Sequence, residues 1–491
     1  MKNKVFIGAG FIDSQLLWVI PLVHGFCKKK GIKKIIFHKN ISKRVKENYE
    51  IKKILKNYDI KTLSDLSFFR SNYICYLFFN FFIILPKAIM LALNTTKNKL
   101  LNNRFNWEKS QLFHAVWDAA LKGSADGIIL PNFIQKLKAS IIAYRNIHEA
   151  KIILDNKVNY FFLGHSVYGH RAFLMKVRNK SNNIFCHSGF TIYKQQNEKD
   201  NSWCFLNKKE FRSLSRGINN KKIIEYWKDR LIGKGNYEDS RIAASIKRTN
   251  INNYKNYENM IFLHIFRDSP FCDIDRSRVF TDYISWIEET LKIIKNSEEN
   301  WTLRLHPSYK RWGEDQYKTL QKIFSKNFNG VLPDNIKCED NINSNTTIFK
   351  YAKRIVTFNG TSHLEAACNG IKPIVISNTM LNVLDKNMVF KPKNLQEYKK
   401  LLLCSSNSKI FKLNSNNIKL SKRVMYIREK ALKFEKEIGG FHVFQGDPKY
   451  KFESDIKQTE SKLKKNLSFL IKNGEKLYEG SRFTLSKNFL K

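Results

Sequence analysis

The chain has 491 residues, of which 43% are hydrophobic, including 37 Phe and 20 Tyr. This length predicts two or three domains, and the aromatic content excludes an intrinsically disordered chain. Lys and Arg number 87 against 43 Asp and Glu, and the formal net charge of +44 attracts phosphorylated substrates, anionic lipid or nucleic acid. The basic residues are scattered, and no zinc-finger, RNA-binding or helix-turn-helix pattern accompanies them. We therefore expect a general affinity for anions and no nucleic-acid partner.

The eight cysteines are far apart and form no CxxC pair. This spacing indicates reduced thiols in the cytoplasm, with neither a disulfide framework nor a zinc site. The apolar run that begins at Val5 is short and is interrupted at Asp13, which does not fit a signal peptide. We expect a cytoplasmic protein.

The first forty residues predict a strand, a helix and a second strand. The strands are the apolar runs Lys4–Gly8 and Lys34–His38, and the helix is the amphipathic segment Leu16–Lys30, which ends at Gly31. This is one βαβ unit at the start of a parallel sheet.

The segment 73–93 is apolar except for Asn80, Pro86 and Lys87. Its length would permit a membrane span, but Pro86 and Lys87 in its second half disfavour a simple transmembrane helix. Two alternatives are open: a buried helix–loop–helix, or a surface patch resting on the inner leaflet of the cytoplasmic membrane. In the second case the protein would be peripheral on that membrane.

A second alternation of helices and strands follows and completes a first domain at 1–192. Its elements are a helix at Asn132–Asn156, a strand at Tyr160–Gly164, a helix at Tyr168–Arg178 and a strand at Asn183–His187. From residue 193 to 259 the sequence is polar, rich in Lys and Asn, and helical in pattern. We expect this segment to bridge two domains.

A second βα domain is predicted at 260–407. Its strands are Met260–Ile265, Trp301–Leu305, Arg354–Phe358 and Ile374–Ser377, and its helices are Phe280–Lys295, Glu314–Ser325 and Ser362–Asn369. A Lys-rich helical tail occupies 408–491. Two consecutive Rossmann-like βα domains predict an α/β protein with a cleft between them and ligands at the carboxyl ends of the strands.

Gly8-Ala9-Gly10 after the first strand does not complete a dinucleotide fingerprint, because the position of the third glycine holds Asp13. The loop is nevertheless small and flexible, and suits the approach of an acceptor. Asp13 is interpreted either as a helix N-cap or as an acceptor-binding carboxylate.

The clearest chemical pattern lies in the second domain. Arg304-Leu305-His306-Pro307 ends a strand, and Gly360-Thr361-Ser362 later opens a helix. Free backbone N–H groups and hydroxyls at a helix start favour a phosphate. Glu365 follows one turn later, where a carboxylate can accept hydrogen bonds from both hydroxyls of a ribose. Each part alone is also compatible with a purely structural role.

The first strand of the second domain is followed by His264, Arg267 and Asp268. An Asp after a strand is often a turn former. The presence of a His and an Arg in the same loop favours contact with the donor phosphates.

These segments resemble known families. GTSHLEAACNGIKPIVI (360–376) is similar to the donor-binding stretch of GT-B glycosyltransferases, and a His-Pro motif with a later Thr/Ser-Ser motif resembles bacterial sialyltransferases and Kdo transferases. Five further segments resemble bacterial capsule and surface-polysaccharide biosynthesis proteins, namely HAVWDAALK (114–122), GHSVYGHRAFLMKV (164–177), FLHIFRDSPF (262–271), FTDYISWIEETL (280–291) and WTLRLHPS (301–308).

The resemblance implies a GT-B glycosyltransferase that uses a nucleotide-sugar as co-substrate and needs no other cofactor. By position, His306, Thr361 and Ser362 would contact the nucleotide and its phosphate. The expected donor is a CMP-sugar of Kdo or sialic type, and the expected acceptor is a capsule or lipopolysaccharide glycan. A UDP-sugar transferase, a CDP-polyol phosphotransferase, a nucleotide-sugar 2-epimerase and a non-enzymatic scaffold of polysaccharide assembly remain alternatives.

The general base is the least defined part of the pattern. Inverting transfer needs a group that takes the proton of the acceptor hydroxyl. Asp118 stands where the surface-polysaccharide family also carries an Asp. Asp126 in Ala125-Asp126-Gly127 is the nearest match to the acidic pair before Gly in the sialyltransferases, but the first acid of that pair is missing here. His165 and His170 are candidates on the acceptor side. The sequence contains no HExxH and no DxD between apolar strands, so we expect no metal site.

Overall fold

The computed structural model describes residues 3–8, 10–66, 73–101, 107–164, 168–181, 183–188, 191–195, 206–232, 254–267, 279–310, 312–340, 344–432, 438 and 452–487. Within them lie a six-stranded and a five-stranded sheet. The strands are β1 (Lys4–Ile7), β2 (Lys34–Phe37), β3 (Asp59–Thr62), β4 (Tyr160–Leu163), β5 (Ile184–Ser188), β6 (Thr191–Lys194), β7 (Asn259–Phe262), β8 (Trp301–Arg304), β9 (Ile336–Glu339), β10 (Arg354–Thr357) and β11 (Ile374–Val375).

Helices cover these sheets and connect their strands. They are α1 (Asp13–Lys30), α2 (Lys43–Glu47), α3 (Tyr49–Leu55), α4 (Tyr73–Phe79), α5 (Leu85–Asn94), α6 (Lys97–Leu101), α7 (Trp107–Lys122), α8 (Phe133–Asp155), α9 (Arg171–Arg178), α10 (Lys208–Ser215), α11 (Asn220–Leu231), α12 (Tyr283–Ile294), α13 (Gln316–Asn327), α14 (Asn345–Tyr351), α15 (Ser362–Cys368), α16 (Met380–Leu384), α17 (Leu395–Leu403), α18 (Ser415–Tyr426) and α19 (Phe452–Tyr478).

The first sheet has the strand order β3-β2-β1-β4-β5-β6. Its first five strands are parallel, and β6 pairs antiparallel with β5 at the edge. The central strands are continuous apolar runs, as expected where helices cover both faces. Phe6 and Phe161 are fully buried in this core. The strand order reverses between β1 and β4, which is where a doubly wound sheet places its ligands.

The second sheet has the order β11-β10-β7-β8-β9 and is parallel throughout. Its switch point lies between β7 and β10, the strands that begin at Asn259 and Arg354. Trp286 and Trp301 are buried in the core beneath it. The chain is therefore an α/β protein with two Rossmann-like βα domains, as the sequence predicts.

Several elements differ from the sequence-based expectation. The helix predicted from Leu16 begins at Asp13, whereas its predicted end at Gly31 is confirmed by a left-handed backbone with φ of 66°. Strands β3, β6 and β9 were not expected, because edge strands need no continuous apolar run; Asp59 and Ile60 of β3 are both exposed. The segment after Tyr73 is helical and lacks the loop of the helix–loop–helix alternative. A π-helical turn at Asn80–Ile84 precedes α5, which has proline in its first turn.

The C-terminal segment returns to both domains. Helix α18 packs against α15 of the second domain, and α19 packs along α1 of the first. The α1–α19 crossing is very close at two glycines. A Cβ on Gly25 would lie 2.0 Å from the carbonyl oxygen of Ile471, and one on Gly474 would lie 1.8 Å from that of Leu22. The absence of side chains at these positions is what lets the helices touch.

Helix α7, which belongs to the first domain by sequence, packs against the core of the second. Val116, Trp117 and Leu121 share a hydrophobic cluster with Phe266 and Tyr283. The Trp117 indole also donates a hydrogen bond to Asp282, the N-cap of α12, at 2.8 Å. The two domains are therefore joined by packed helices.

Candidate functional site

Three neighbouring strands of the second sheet end in polar residues. His264 follows β7, His306 follows β8, and Asn359 with Gly360 follows β10. Because β10, β7 and β8 are adjacent and parallel, their carboxyl ends meet at one edge of the sheet. The structure thus brings together the two motifs that the sequence separates by more than fifty residues.

The His264 ring lies directly against the loop after β10. Its Nε2 accepts hydrogen bonds from the backbone N–H of Gly360 at 3.1 Å and of Asn359 at 3.4 Å. Nε2 therefore carries no proton, and Nδ1 is the protonated nitrogen. A Cβ at position 360 would lie 2.9 Å from Cε1 of His264, so only glycine permits this approach. Tyr283 packs on the same ring, with centroids 4.6 Å apart.

Burial, with smaller contributions from the nearby His306 and His363, lowers the pKa of His264 to about 3. Burial also lowers the pKa of His363 to about 3. The His363 Nδ1 donates to the carbonyl of Gly360, and among the described residues its buried Nε2 has no hydrogen-bond partner. Both imidazoles are neutral at physiological pH, so they act here as hydrogen-bonding groups and not as cations.

Gln316 connects the loops that carry His264 and His306. Its side-chain Nε2 donates to the carbonyl of His264 at 2.5 Å, and its Oε1 accepts from the backbone N–H of His306 at 2.9 Å. The His306 Nδ1 accepts from the backbone N–H of Ser308 at 3.2 Å, which fixes the ring. Sequence analysis did not identify Gln316, because its partners lie in loops before it in the chain.

Thr361 and Ser362 are half-buried at the start of α15. Thr361 occupies the N-cap position without making a side-chain cap, and within the described part of the chain neither hydroxyl forms a hydrogen bond. The N–H groups of His363 and Leu364 already donate to backbone carbonyls, so the donors left for an anionic oxygen are the two hydroxyls and the N–H groups of Thr361 and Ser362.

Glu365, predicted to bind ribose, is held by protein groups. Its Oε1 accepts from Nη2 of Arg230 at 2.8 Å, and its Oε2 accepts from Nδ2 of Asn345 at 2.8 Å. Arg230 lies in α11 of the bridge, where its side chain is 2% exposed. Glu365 therefore anchors the bridge to the second domain, and a ribose would have to share its oxygens with Arg230 and Asn345.

Arg304 is buried in the sheet. Its guanidinium is 2% exposed and forms an ion pair with Glu339 on the adjacent strand β9, at 3.1 Å. It also lies over the Phe262 ring, 5.9 Å from the centroid. These contacts give Arg304 a place in the core beneath the His306 loop.

Two residues to which the sequence assigned separate roles form an ion pair. Arg267 and Asp126 approach at 3.2 Å, and Nη1 of Arg267 also donates to the carbonyl of Ser124 at 2.9 Å. These contacts join the loop after β7 to the segment after α7. Asp268 and His165 lie outside the described residues.

The remaining predicted residues belong to the first domain. Asp118 in α7 is 1% exposed. Asp13 is the first residue of α1, and Ile12 occupies the N-cap position, where the Gln15 side chain accepts from its N–H. The N-cap interpretation of Asp13 was therefore wrong. The N-cap is Ile12, one residue earlier, whose N–H donates to the Gln15 side chain. His170 is exposed just before α9.

No protein-family model matches the chain, and no curated protein matches it in sequence. Among solved structures it is similar to the UDP-GlcNAc 2-epimerase of Methanocaldococcus jannaschii in complex with UDP-GlcNAc and UDP, with 13% identity and a TM-score of 0.29 over 87% of this chain and 99% of that chain. It is similar to KpsC, the beta Kdo 2,7 transferase of Thermosulfurimonas dismutans, with 12% identity and a TM-score of 0.30 over 56% of this chain and 80% of that chain. It is also similar to the trehalose-6-phosphate synthase OtsA, with 10% identity and a TM-score of 0.30 over 95% of this chain and 99% of that chain.

Likenesses of this size carry no information on the substrate. The strand orders of the two sheets, the switch point in each and the helical C-terminal segment assign the architecture. The fold is GT-B.

In this GT-B chain, the first domain contains a pair that sequence reasoning missed. His38 follows β2 at the carboxyl edge of the first sheet, and its Nε2 lies 2.8 Å from Oε2 of Glu149 on α8. The side chains are 9% and 8% exposed. In a neutral ring with a carboxylate partner, Nε2 carries the proton and Nδ1 has the lone pair. Within the described residues, no hydrogen bond is made by Nδ1. The 111 residues between the partners hid the pair from the sequence.

Glu314 was also missed as a site residue. Its two oxygens accept from the backbone N–H of Phe266 at 2.9 Å and of Arg267 at 3.0 Å. Burial raises the pKa of Glu314 to about 7, against the opposing effect of these two donors. Glu314 thus supports the loop that carries His264.

Among the described residues, no group of three or more His, Cys, Asp or Glu side chains could hold a metal ion.

Proposed function

We propose that this protein is a nucleotide-sugar-dependent glycosyltransferase whose donor binds at the carboxyl edge of the second sheet. The observation that carries the proposal is the convergence of His264, His306 and the segment 360–362 at that edge, with two hydroxyls that bond no described residue. Neutral imidazoles, hydroxyls and backbone N–H groups supply directional hydrogen bonds to a phosphate.

In the proposed reaction, the acceptor hydroxyl attacks the anomeric carbon of the donor, and the bond to the nucleotide phosphate breaks. The charge that develops on the leaving phosphate would be stabilised by the hydroxyls of Thr361 and Ser362 and the N–H groups beside them. Preorganised donors of this kind are effective because they need no reorganisation as the charge forms. This arrangement performs the transfer without requiring a metal ion.

The donor that we propose is a CMP-sugar of Kdo or sialic type, and the acceptor is a capsule or lipopolysaccharide glycan. The support is the resemblance of the His306-Pro307 and Thr361-Ser362 motifs to those of transferases that use CMP-sugars. A UDP-sugar donor and a CDP-polyol donor would use the same phosphate contacts, so the nucleotide must be determined by experiment.

The donor proposal is tested by thermal unfolding of the purified chain with CMP, UDP, GDP and CDP, because a ligand that binds the native state raises the melting temperature. We expect a rise with CMP that disappears in His306→Ala. The matched control is Val331→Ser, which changes a side chain that is 70% exposed before β9, at the opposite end of the strands, and should keep the rise.

Each other outcome has a definite meaning. A rise with UDP alone would retain the site and discard the CMP-sugar class. A rise with CMP that survives in His306→Ala would contradict the proposed location of the site. If no nucleotide changes the melting temperature, the transferase proposal fails and the scaffold alternative is favoured.

For the general base we propose His38, oriented by Glu149, with Asp118 and Asp126 as the competing candidates. His38 follows β2 at the carboxyl edge of the first sheet, whereas Asp118 is 1% exposed and Asp126 is paired with Arg267. An imidazole that a carboxylate orients through one nitrogen can take a proton from a hydroxyl through the other.

Steady-state transfer assays with the donor identified above distinguish these candidates. His38→Gln keeps a hydrogen-bond donor for Glu149 but cannot accept a proton, so we expect kcat to fall by roughly 100-fold or more while the thermal shift with nucleotide is unchanged. Asp118→Asn is the comparison variant. A normal kcat in His38→Gln together with a loss in Asp118→Asn would assign the base to Asp118.

A further inference from the structure

A long helical stretch of the first domain is apolar and faces solvent. Among the described residues, Leu77–Asn94 is the one helical stretch long and apolar enough to cross a membrane by length and composition, yet only 22% of it is buried. Its large exposed side chains are Leu77, Phe78, Phe81, Phe82, Ile83, Ile89, Met90 and Leu93. Phe78, Phe81, Phe82 and Met90 are each about 60% exposed. A contiguous apolar patch of this kind marks an interaction surface.

The opposite side of the stretch packs along α8, mainly through α5. Ala88, Leu91 and Ala92 are buried there. Polar contacts fix both ends: Nε of Arg145 donates to Oδ1 of Asn80 at 2.7 Å, and Nζ of Lys136 donates to the carbonyl of Thr95 at 3.1 Å. A span perpendicular to a membrane would break these contacts, so the stretch is held flat on the domain.

The charge around the stretch has one sign. Between Asp65 and Glu108 the sequence contains no acidic residue, whereas it contains Arg70, Lys87, Lys97, Lys99 and Arg104. Lys87 is exposed among the apolar side chains of α5. Aromatic and aliphatic side chains with interspersed Lys form the type of face that binds anionic lipid.

The neighbouring helix α8 extends the surface. Ile134 and Ile142 are 55% and 46% exposed, and the exposed Lys138 lies between them on the same side of the helix. The apolar and basic character therefore continues beyond a single helix. We call the face formed by the exposed residues of 77–93 together with Ile134, Lys138 and Ile142 the apolar–basic face.

We propose that the apolar–basic face docks on the surface of an anionic lipid bilayer, with the helical stretch 77–94 lying in the plane of the membrane and not across it. The exposed aromatic side chains enter the boundary between head groups and acyl chains, and the lysines contact the head-group phosphates. The proposal concerns a surface formed by α4, α5 and α8, so it does not depend on the proposed transfer reaction.

Co-sedimentation with vesicles tests the docking. The full-length protein is mixed with vesicles of phosphatidylcholine alone or of phosphatidylcholine with phosphatidylglycerol. We expect binding to the phosphatidylglycerol vesicles that weakens as salt is raised. Phe78→Ser/Phe82→Ser should bind at least about tenfold more weakly, since two apolar side chains no longer leave water. Val331→Ser, with a comparably exposed apolar residue on the second domain, should bind as the wild type does.

The melting temperature of each variant shows whether its fold is intact, and Phe78 and Phe82 are exposed enough for the substitutions to leave it unchanged. Wild-type protein that ignores anionic vesicles, or a double variant that binds them as tightly as the wild type, would overturn the proposal. So would a dimer in solution that depends on Phe78 and Phe82 without vesicle binding, since a second copy would then cover the face. Bound protein that resists alkaline carbonate would indicate a span and overturn the in-plane arrangement.

Discussion

At the residue scale, the loop after β10 depends on the contact between Gly360 and His264. The glycine leaves room for the ring, and the ring accepts the N–H groups of residues 359 and 360. His363 closes the same loop from the other side by donating to the carbonyl of Gly360. The orientation of Thr361 and Ser362 therefore depends on the neutral imidazoles of His264 and His363 and on the absence of a Cβ at Gly360.

The depressed pKa of His363 predicts an acid-sensitive fold. Its pKa is about 3 in the folded chain and 6.5 in the reference state, so below about pH 6.5 the unfolded chain binds a proton that the folded chain does not. Stability is therefore lost as the pH falls from about 6.5 towards 3. His363→Asn keeps a donor for Gly360 but cannot titrate.

The measurement is the free energy of unfolding of wild type and His363→Asn by urea denaturation across that pH range. We expect the wild-type value to fall relative to the variant by up to about 1.4 kcal/mol per pH unit. His264 and Glu314 titrate in both proteins, so the difference isolates position 363. Parallel pH profiles would show that the imidazole is protonated in the folded chain, despite its burial and the nearby Arg428.

At the element scale, the crossing of α1 and α19 joins the C-terminal segment to the first domain. Gly25 and Gly474 bring the backbones into direct contact, and Leu470 and Leu477 of α19 are buried in the same core as Leu22 and Phe26 of α1. This helix is 27 residues long, and its buried leucines share a hydrophobic cluster with Val5 and Ile7 of β1. The predicted Lys-rich tail is thus in part a core element.

Gly474→Ala should destabilise the protein. The added Cβ would lie 1.8 Å from the Leu22 carbonyl oxygen and 2.9 Å from the Phe26 nitrogen, so the helices must separate. We expect the free energy of unfolding to fall by about 1–3 kcal/mol or more, measured by urea denaturation. Gly123→Ala is the control, because its Cβ would have ordinary contacts with a nearest atom at 3.5 Å. Equal stability of the two variants would contradict the close crossing.

At the scale of the whole molecule, buried and half-buried polar contacts connect the two domains. Arg230 of the bridge binds Glu365, Trp117 donates to Asp282, and Arg267 binds Asp126. Removing one member of the buried Arg230–Glu365 pair would leave an uncompensated charge. Glu365 and Arg267, assigned to the donor, and Asp126, a candidate base, therefore also make contacts between segments far apart in the chain.

The apolar–basic face carries two exposed lysines, Lys87 and Lys138, among its apolar side chains. Some cations elsewhere are paired; Lys326, for example, contacts Glu288 at 2.6 Å. Between Asp65 and Glu108 no carboxylate is present to neutralise the basic residues. The net charge alone therefore does not identify a partner, whereas its coincidence with exposed phenylalanines favours a lipid surface.

The sequence by itself determined the parts of this protein that depend on local chemistry. Apolar runs located β2, β8 and β10 to within a residue, and Gly31 ended α1, because burial on both faces and a left-handed backbone restrict which residues can stand there. The order of the two βα domains followed from the same signals.

Only the tertiary structure decided which polar groups meet. His38 and Glu149, Arg304 and Glu339, and Gln316 with its two loops are paired by strand order and helix packing between residues far apart in the chain. Edge strands β3 and β6 were likewise set by a neighbouring strand rather than by their own hydrophobicity. The physical reason is that burial constrains each residue separately, whereas a hydrogen bond or an ion pair requires two residues whose distance the fold alone sets.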